Sequence, residues 1–529
     1  MGFKPGHDGA VCLVADGELV FSFEGEKDSF ERNGPLGAPL LVDALVQTPV
    51  FPDVLALGGW YNTLPGRAAS VGAGYRGLTP GVVEQARMFG RDVKVFSSSH
   101  ERSHLFSGVA LSPFDAEHDL AVLVWEGVIG AFYQWRGSTV YPVCFPVLDQ
   151  PGARFSALYN LADPAFADEG DMHAGWEAGR LMAVAGLADG EAPSDDSVHV
   201  VESLLRLRSL YPFHKARYRH SALYTPGVTD PEVCRAARYL TARFFETFRN
   251  AAREHFEPGL PLVVTGGCGL NCDWNTAWRE DGFFSEVFVP PCTNDSGSAI
   301  GTAVDAVVEL GGRCNLDWDP YRGAAFVHDD DPCRHGWERR DFDALGLSGV
   351  IDRGGVVAWV QGRCEIGPRA LGHRSLLASA SDRASHDRLN SIKQRESYRP
   401  IAPVCLAEDM GKWFDRDHPD PHMLFFRQVL DPEAVPAVTH ADGTARAQSL
   451  TSDDVPRLYD LLLAHREQTG VGMLCNTSLN YKGRGFINRT SDLLNYCALA
   501  GVDEVVIEDT WYRSARSTEA TIECGDRAA

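Results

Sequence analysis

The pattern from Ala10 to Glu24 leans towards β structure, and the run breaks at Asp16-Gly17, a dipeptide that suits the positive φ angles of a tight hairpin. The stretch from Leu120 to Trp135 repeats that plan, with the apolar strand AVLVW, a break at Glu126-Gly127, and a returning AFYQW after Gly130. Two hairpins of one design predict a duplicated half-domain. Between them, Val54 to Trp60 and Val93 to Ser97 read as strands, the second delivering the chain to His100. From Pro231 to Phe256 the apolar positions Val233, Ala237, Leu240, Phe244, Phe245 and Phe248 recur at helical spacing, with Arg and Glu opposite, so an amphipathic helix is expected. A strand at Pro261 to Thr265 follows. Beyond Ala303 the periodicity fades into Gly311-Gly312-Arg313 and the acidic run His328-Asp329-Asp330-Asp331-Pro332. The boundary is therefore expected near residues 315–345, dividing the chain into domains 1–335 and 336–529 of α/β class.

Length agrees with that division, because 529 residues exceed one ordinary core and 44% hydrophobic content fills two. The balance of 49 Lys plus Arg against 72 Asp plus Glu leaves a formal charge of -23, which disfavours generic binding to nucleic acid or anionic membranes. Thirteen cysteines without a repeated CxxC pair read as thiols in a reducing compartment. No apolar run reaches the roughly 20 residues of a membrane span, and the start lacks a basic region followed by an apolar core. A cytoplasmic location is expected.

Three clusters carry chemistry. In His100-Glu101-Arg102-Ser103-His104, a helix beginning after Ser97-Ser98-Ser99 would set two imidazoles on one face, within reach of one cation. Asp295, on the loop Pro290 to Gly297, is the carboxylate that would complete the site, and Glu126 is a candidate fourth ligand. Such a set suits Fe(II), with Zn or Mn also compatible. An isolated HxxxH also arises where histidines merely cap or solvate a helix. The second cluster, Val263 to Asn271, runs from a strand into the turn Gly266-Gly267, where backbone amides approach phosphates. Asn271 and Asn275 would then either bond a nucleotide or cap the next helix. The third gathers positive charge in an acidic protein: Gly362 to Ser375, with Arg369 and Arg374, Asn390 to Pro400, with Lys393 and Arg399, then Arg446 and the polar loop Asn476-Thr477-Ser478. Arg forks and a Lys point charge hold carboxylates and phosphates, so an anion site is expected.

Taken together, HDGAV at 7–11, HERSH at 100–104, GGCGLN at 266–271, NDSGSAIGTA at 294–303, GPRALGHRS at 367–375, IKQRESYRP at 392–400, HADGTARAQ at 440–448 and NTSLN at 476–480 resemble the carbamoyltransferase family of nodulation-factor and antibiotic O-carbamoyltransferases. FKPGHDGAV, GEKDS at 25–29 and VWEGVIGAFY at 124–133 look most like the branch that carbamoylates 3-hydroxymethylcephems. The resemblance implies a duplicated actin-like ATPase domain followed by an α/β YrdC-like domain. It implies that carbamoyl phosphate and ATP, with Mg, form carbamoyl adenylate in the second domain, where Arg369, Arg374, Lys393, Arg399, Arg446 and Ser478 match anion-binding positions. His100, His104 and Asp295 match metal ligands in the first, where a small-molecule hydroxyl would attack the carbamoyl carbon. His7, with Lys27 or Arg32, falls near positions the family uses around that group, and His7 would take the hydroxyl proton or polarise the carbonyl. Glu126 stands where the family more often has Asp. The rivals are a tRNA threonylcarbamoyladenosine-type enzyme, disfavoured by the acidic charge, carbamoylation of a macrolide or aminoglycoside sugar, and a sugar kinase or Hsp70-like ATPase, which leaves GPRALGHRS and NTSLN unexplained. Association as a homodimer is left open.

Overall fold

Two sheets built to one plan form the first part of the protein. The computed structural model describes residues 1–29, 31–64, 67–79, 81–88, 90–170, 176–210 and 213–515. In the first sheet the strands lie in the order Glu18–Glu24, Ala10–Ala15, Gly2–Lys4, Val54–Leu57, Arg91–Ser97, with Val82–Met88 at the edge. In the second the order is Thr139–Cys144, Gly130–Arg136, Leu120–Trp125, Leu262–Thr265, Val287–Phe288. Each time, the strand that comes first in the chain pairs antiparallel with the second and parallel with the fourth. A helix follows the fifth strand of each plan, His100–Ala110 in one and Ser298–Glu309 in the other.

This topology shifts the expected repeat by one strand. Gly2–Lys4 is the counterpart of Leu120–Trp125, but three residues are too few to display a period. The turn at Asp16 and Gly17, with φ 51° and 82°, therefore corresponds to Gly137 and Ser138, with φ 50° and 66°. By the same register the loop through His7 is the equivalent of the turn through Glu126.

The amphipathic helix spans Pro231–His255, capped by Asp230, whose side chain accepts from the Glu232 N–H. It buries Val233, Ala237, Leu240, Phe244 and Phe248. The stacked rings of Trp125 and Trp274 lie 4.4 Å apart, and Phe248 packs at 4.4 Å on the Trp125 ring.

The chain resolves into two units, Met1–Val20 with Leu41–Trp318, and Phe21–Leu40 with Asp319–Ala529. This differs from a division at 335/336 in two respects. Residues 319–335 go with the second unit because they are fastened there: the Tyr321 hydroxyl donates to the Leu371 carbonyl at 2.9 Å, and Ala325 and Val327 bridge Arg363 and Arg489. Residues 21–40 also belong to it, although nearly 280 residues of the first unit intervene in the chain.

The second unit is an eight-stranded mixed sheet in the order Trp337–Asp341, Thr510–Ser514, Glu504–Ile507, Val357–Val360, Arg374–Ser379, Met473–Ser478, Ala402–Leu406, Gln448–Leu450. Both faces are covered. Ala358, Val360, Leu376, Ala378 and Cys475 enter one core with Leu389 and Leu493, while Val357, Trp359, Leu377 and Leu474 enter another with Leu347, Leu458 and Leu461. That two-sided burial makes its central strands continuous apolar runs instead of alternating ones.

Candidate functional site

The first site begins at Ser99, whose hydroxyl accepts from the Arg102 N–H at 3.0 Å and starts the His100–Ala110 helix. His100 and His104, one turn apart, then point the same way. Gly301 lets the Ser298–Glu309 helix approach closely, since a Cβ there would lie 1.7 Å from the Ser103 carbonyl oxygen. The contact carries Asp295, just before that helix, to the imidazoles. His104 Nε2 lies 3.2 Å from His100 Nε2 and 3.2 Å from Asp295 Oδ1, and His100 Nε2 lies 3.6 Å from Asp295 Oδ2.

Ligands about 2.1 Å from a shared ion sit roughly 3.0–3.4 Å from each other, so two of the three spacings fall in that range and the third, 3.6 Å, lies just beyond it, close to what a single transition metal needs. Burial pushes the His100 imidazole well below its ordinary pKa against the pull of Asp295. Burial also opposes charge on Asp295, but His100, Lys4 and His7, with the hydrogen bond from His104, hold its carboxyl well below the usual range. Neutral imidazole and carboxylate are the states that ligate. Thr265 Oγ1, 3.4 Å from His104 Nδ1, orients the second ring.

Glu126 stays outside this triad. Its Oε2 accepts from the Tyr75 hydroxyl and the Val128 N–H, both at 3.0 Å, and Oε1 accepts from the Ile129 N–H at 2.5 Å. Burial and the charge of Asp295 push its pKa up. His7 does reach the site, its Nε2 3.4 Å from Asp295 Oδ2. Gly266, at φ 97°, passes so close to the Glu126 turn that a Cβ would fall 2.5 Å from the Trp125 carbonyl oxygen, while Gly267 faces open space. Asn271 caps the Cys272–Asp281 helix and Asn275 donates to the Gly269 carbonyl, so both support the glycine turn structurally.

Behind the imidazoles, Arg102 grips Asp305 with two donors, Nε at 2.9 Å from Oδ2 and a terminal nitrogen on Oδ1, while Ser98 Oγ donates to Oδ2 at 2.6 Å. The pair is buried and joins the two ligand-bearing helices. Arg102→Ala leaves the Asp305 charge uncompensated and is expected to cost about 3–5 kcal/mol, read as a lowered urea midpoint.

The second site lies at paired strand ends in the other unit, where Ser375 is opposite Ser478 and Leu376 opposite Thr477. Lys393 Nζ donates to the carbonyl and hydroxyl of Ser478 and to the carbonyl and side-chain oxygen of Asn480. These acceptors are neutral, and burial with the nearby charges of Arg395 and Arg32 pushes the ammonium well below its usual pKa. Arg395 is pushed down to about 9 by burial and by Arg399 and Arg446, against Glu396. The buried Arg446 Nε and Asn476 Oδ1 find no partner among the described residues. Buried cations crowded by further guanidinium groups, as Lys393 and Arg395 are, call for a polyanion. Arg374, fully buried, donates to Asn488 Oδ1 and to the carbonyls of Gln361, Gly362 and His373, all neutral acceptors. Lys27 and Arg32 fall in this unit and are not grouped with His7.

Residues 348–514 match the family description Carbamoyltransferase C-terminus, and residues 230–304 match Carbamoyltransferase N-terminus. The chain is 50% identical to the 3'-hydroxymethylcephem-O-carbamoyltransferase of Streptomyces clavuligerus, over 97% of this chain and 98% of that protein. Its identity to the enzyme of the same name from Amycolatopsis lactamdurans is also 50%, over 97% and 99%. This chain belongs to the carbamoyltransferase family. Nodulation protein U of Rhizobium tropici, 33% identical over 98% of this chain and 96% of its own length, is a more distant relative. The protein is accordingly an O-carbamoyltransferase.

Sequence reasoning on this carbamoyltransferase missed Lys4, fully buried, with Nζ 3.5 Å from Asp295 Oδ2 and 4.7 Å from the Trp60 ring centre. A lysine ending the otherwise neutral strand Gly2–Lys4 was the available signal. It also missed Tyr75, whose ring stacks on His100 at 4.4 Å and whose position no pattern marks. The stretches 61–80 and 139–223 lie between the motifs and carry aromatics, which from sequence makes them the candidates to shape an acceptor pocket; residues 65–66, 80, 171–175 and 211–212 of them lie outside the described residues. Among the described residues no helix is long and apolar enough to cross a membrane.

Proposed function

We propose that this carbamoyltransferase works in two steps on a hydroxymethylcephem. In the second unit, ATP with Mg, carbamoyl phosphate and water give carbamoyl adenylate, pyrophosphate and phosphate. In the first unit the acceptor hydroxyl attacks the carbamoyl carbon and AMP leaves. The observation that carries the reading is the separation of chemistries: a buried two-histidine, one-carboxylate triad in one unit and a crowd of buried cations in the other, within a chain half identical to two cephem carbamoyltransferases.

His100, His104 and Asp295 would hold Fe(II), with Zn or Mn compatible, and the ion would supply Lewis-acid polarisation. His7 stands ready to take the hydroxyl proton, and Lys4 neutralises Asp295. Because AMP is a good leaving group, the transfer step needs positioning more than a strong base, so His7→Asn is expected to slow it only mildly, within about 10²-fold, in a single-turnover assay. The repeated strand plan and the Gly266-Gly267 turn support an actin-like ATPase class for the first unit. The two-sided mixed sheet ending in a cation cluster supports a YrdC-like assignment for the second.

The test is incubation with ATP, labelled carbamoyl phosphate and a panel containing a 3-hydroxymethylcephem, a macrolide, an aminoglycoside and tRNA. Label in the cephem, dependent on ATP, is expected. Label in a sugar hydroxyl would move the acceptor, and label in tRNA, or labelling without ATP, would overturn the scheme. Elemental analysis of protein purified without chelator should find about one transition metal per chain, and its absence would remove the metal.

A further inference from the structure

The motif Gly367 to Ser375 is held on both sides of Arg369 by buried groups that no motif singled out together. On its near side, Glu24 Oε1 accepts from the Gly367 N–H at 2.6 Å. Lys27 Nζ lies 3.1 Å from the same carboxylate oxygen and donates to the Gly367 carbonyl at 2.9 Å and to the Glu365 carbonyl. On its far side, Glu365 Oε1 accepts three backbone N–H groups, from Leu371 at 2.7 Å, His373 at 2.9 Å and Arg374 at 3.1 Å. Glu365 is fully buried, and Glu24 and Lys27 are 6% exposed. The Lys27 ammonium also sits 4.7 Å from the centre of the Phe486 ring.

We infer that Glu24, Lys27 and Glu365 are positioning residues for the adenylate-forming step, forming a clamp that presents Arg369 to the anion. The inference rests on the proposed two-step reading and gives Lys27 a role other than contact with the carbamoyl group beside His7. Two buried carboxylates converge on the loop that carries Arg369. Their charge is spent on four backbone N–H groups and on Lys27, so the backbone on either side of Arg369 is fixed. The segment that supplies Glu24 and Lys27 lies more than 300 residues earlier in the chain, yet it is an integral part of the second unit. A C-terminal fragment starting near residue 319 lacks this half of the clamp.

The experiment uses the full chain and separates the two steps. Pyrophosphate release from ATP and carbamoyl phosphate reports the first, and transfer from supplied labelled carbamoyl adenylate to the cephem reports the second. Lys27→Met is expected to slow pyrophosphate release about 100-fold, the scale of a small displacement of a positioned group, with transfer from supplied adenylate retained. Glu24→Gln still offers an acceptor to the Gly367 N–H but loses the charge beside Lys27, and should give a smaller loss in the same step. The clamp is overturned if Lys27→Met releases pyrophosphate normally and loses transfer instead, or if a Glu24→Gln protein with parental thermal midpoint loses both steps or neither. Arg369→Ala is the control on the underlying reading: pyrophosphate release at the parental rate in that variant would defeat the two-step scheme itself.

Discussion

His104→Ala protein is expected to bind no stoichiometric transition metal and to yield no carbamoylated acceptor, while still converting ATP and carbamoyl phosphate to carbamoyl adenylate. The argument is geometric. His104 Nε2 is the hinge of the triad, 3.2 Å from both His100 Nε2 and Asp295 Oδ1, so its removal leaves one imidazole and one carboxylate, too few to retain an ion in competition with a chelator. Lewis-acid stabilisation of several kcal/mol corresponds to a loss of about 10³-fold or more in transfer. No residue of the cation cluster belongs to the same unit, which is why the first step should survive. Rapid-quench measurement of both steps on the same preparation decides it. Equal loss of adenylate formation in His104→Ala would mean that the chemistry is not divided between the units.

Lys393→Met should fail at the opposite step. Its ammonium lies at the strand ends, donating to neutral oxygens of Ser478 and Asn480 and crowded by Arg395 and Arg32, so none of these contacts supplies it with a counter-charge. Methionine keeps the length and loses the charge. Adenylate formation is expected to fall by about 10²–10³-fold, as when one preorganised donor is removed. A second measurement needs no turnover. ATP with carbamoyl phosphate at 100 times the dissociation constant should stabilise the parental protein by about 2.7 kcal/mol, and this thermal shift should vanish in the variant. Persistence of the shift would place the polyanion elsewhere. Metal content should be unchanged.

How far such residues were legible depends on the range of the interaction that places them. The histidine pair could be read because an i, i+4 spacing behind a serine cap is local, and Asp295 because its loop precedes a small-residue helix. The carbamoyltransferase blocks identified the family for the same reason, since each is a contiguous string. Arg374 sits in the same basic string as Arg369, and only the structure shows its four neutral acceptors. The hydrogen bond that Glu126, the candidate fourth ligand, accepts from Tyr75 left no mark in the sequence, because Tyr75 approaches from 51 residues away.

From the sequence alone came the α/β class, the Pro231–His255 helix, the duplicated plan, the histidine pair and the basic loops, all consequences of periodicity or of neighbours within a few positions. Tertiary structure decided the register of the repeat, the burial of Lys4 against Asp295, and the membership of Phe21–Leu40 in the second unit. Those follow from contacts between residues tens to hundreds of positions apart, whose energy is gained only when the whole chain has folded, and which therefore imprint no period on the string of residues that makes them.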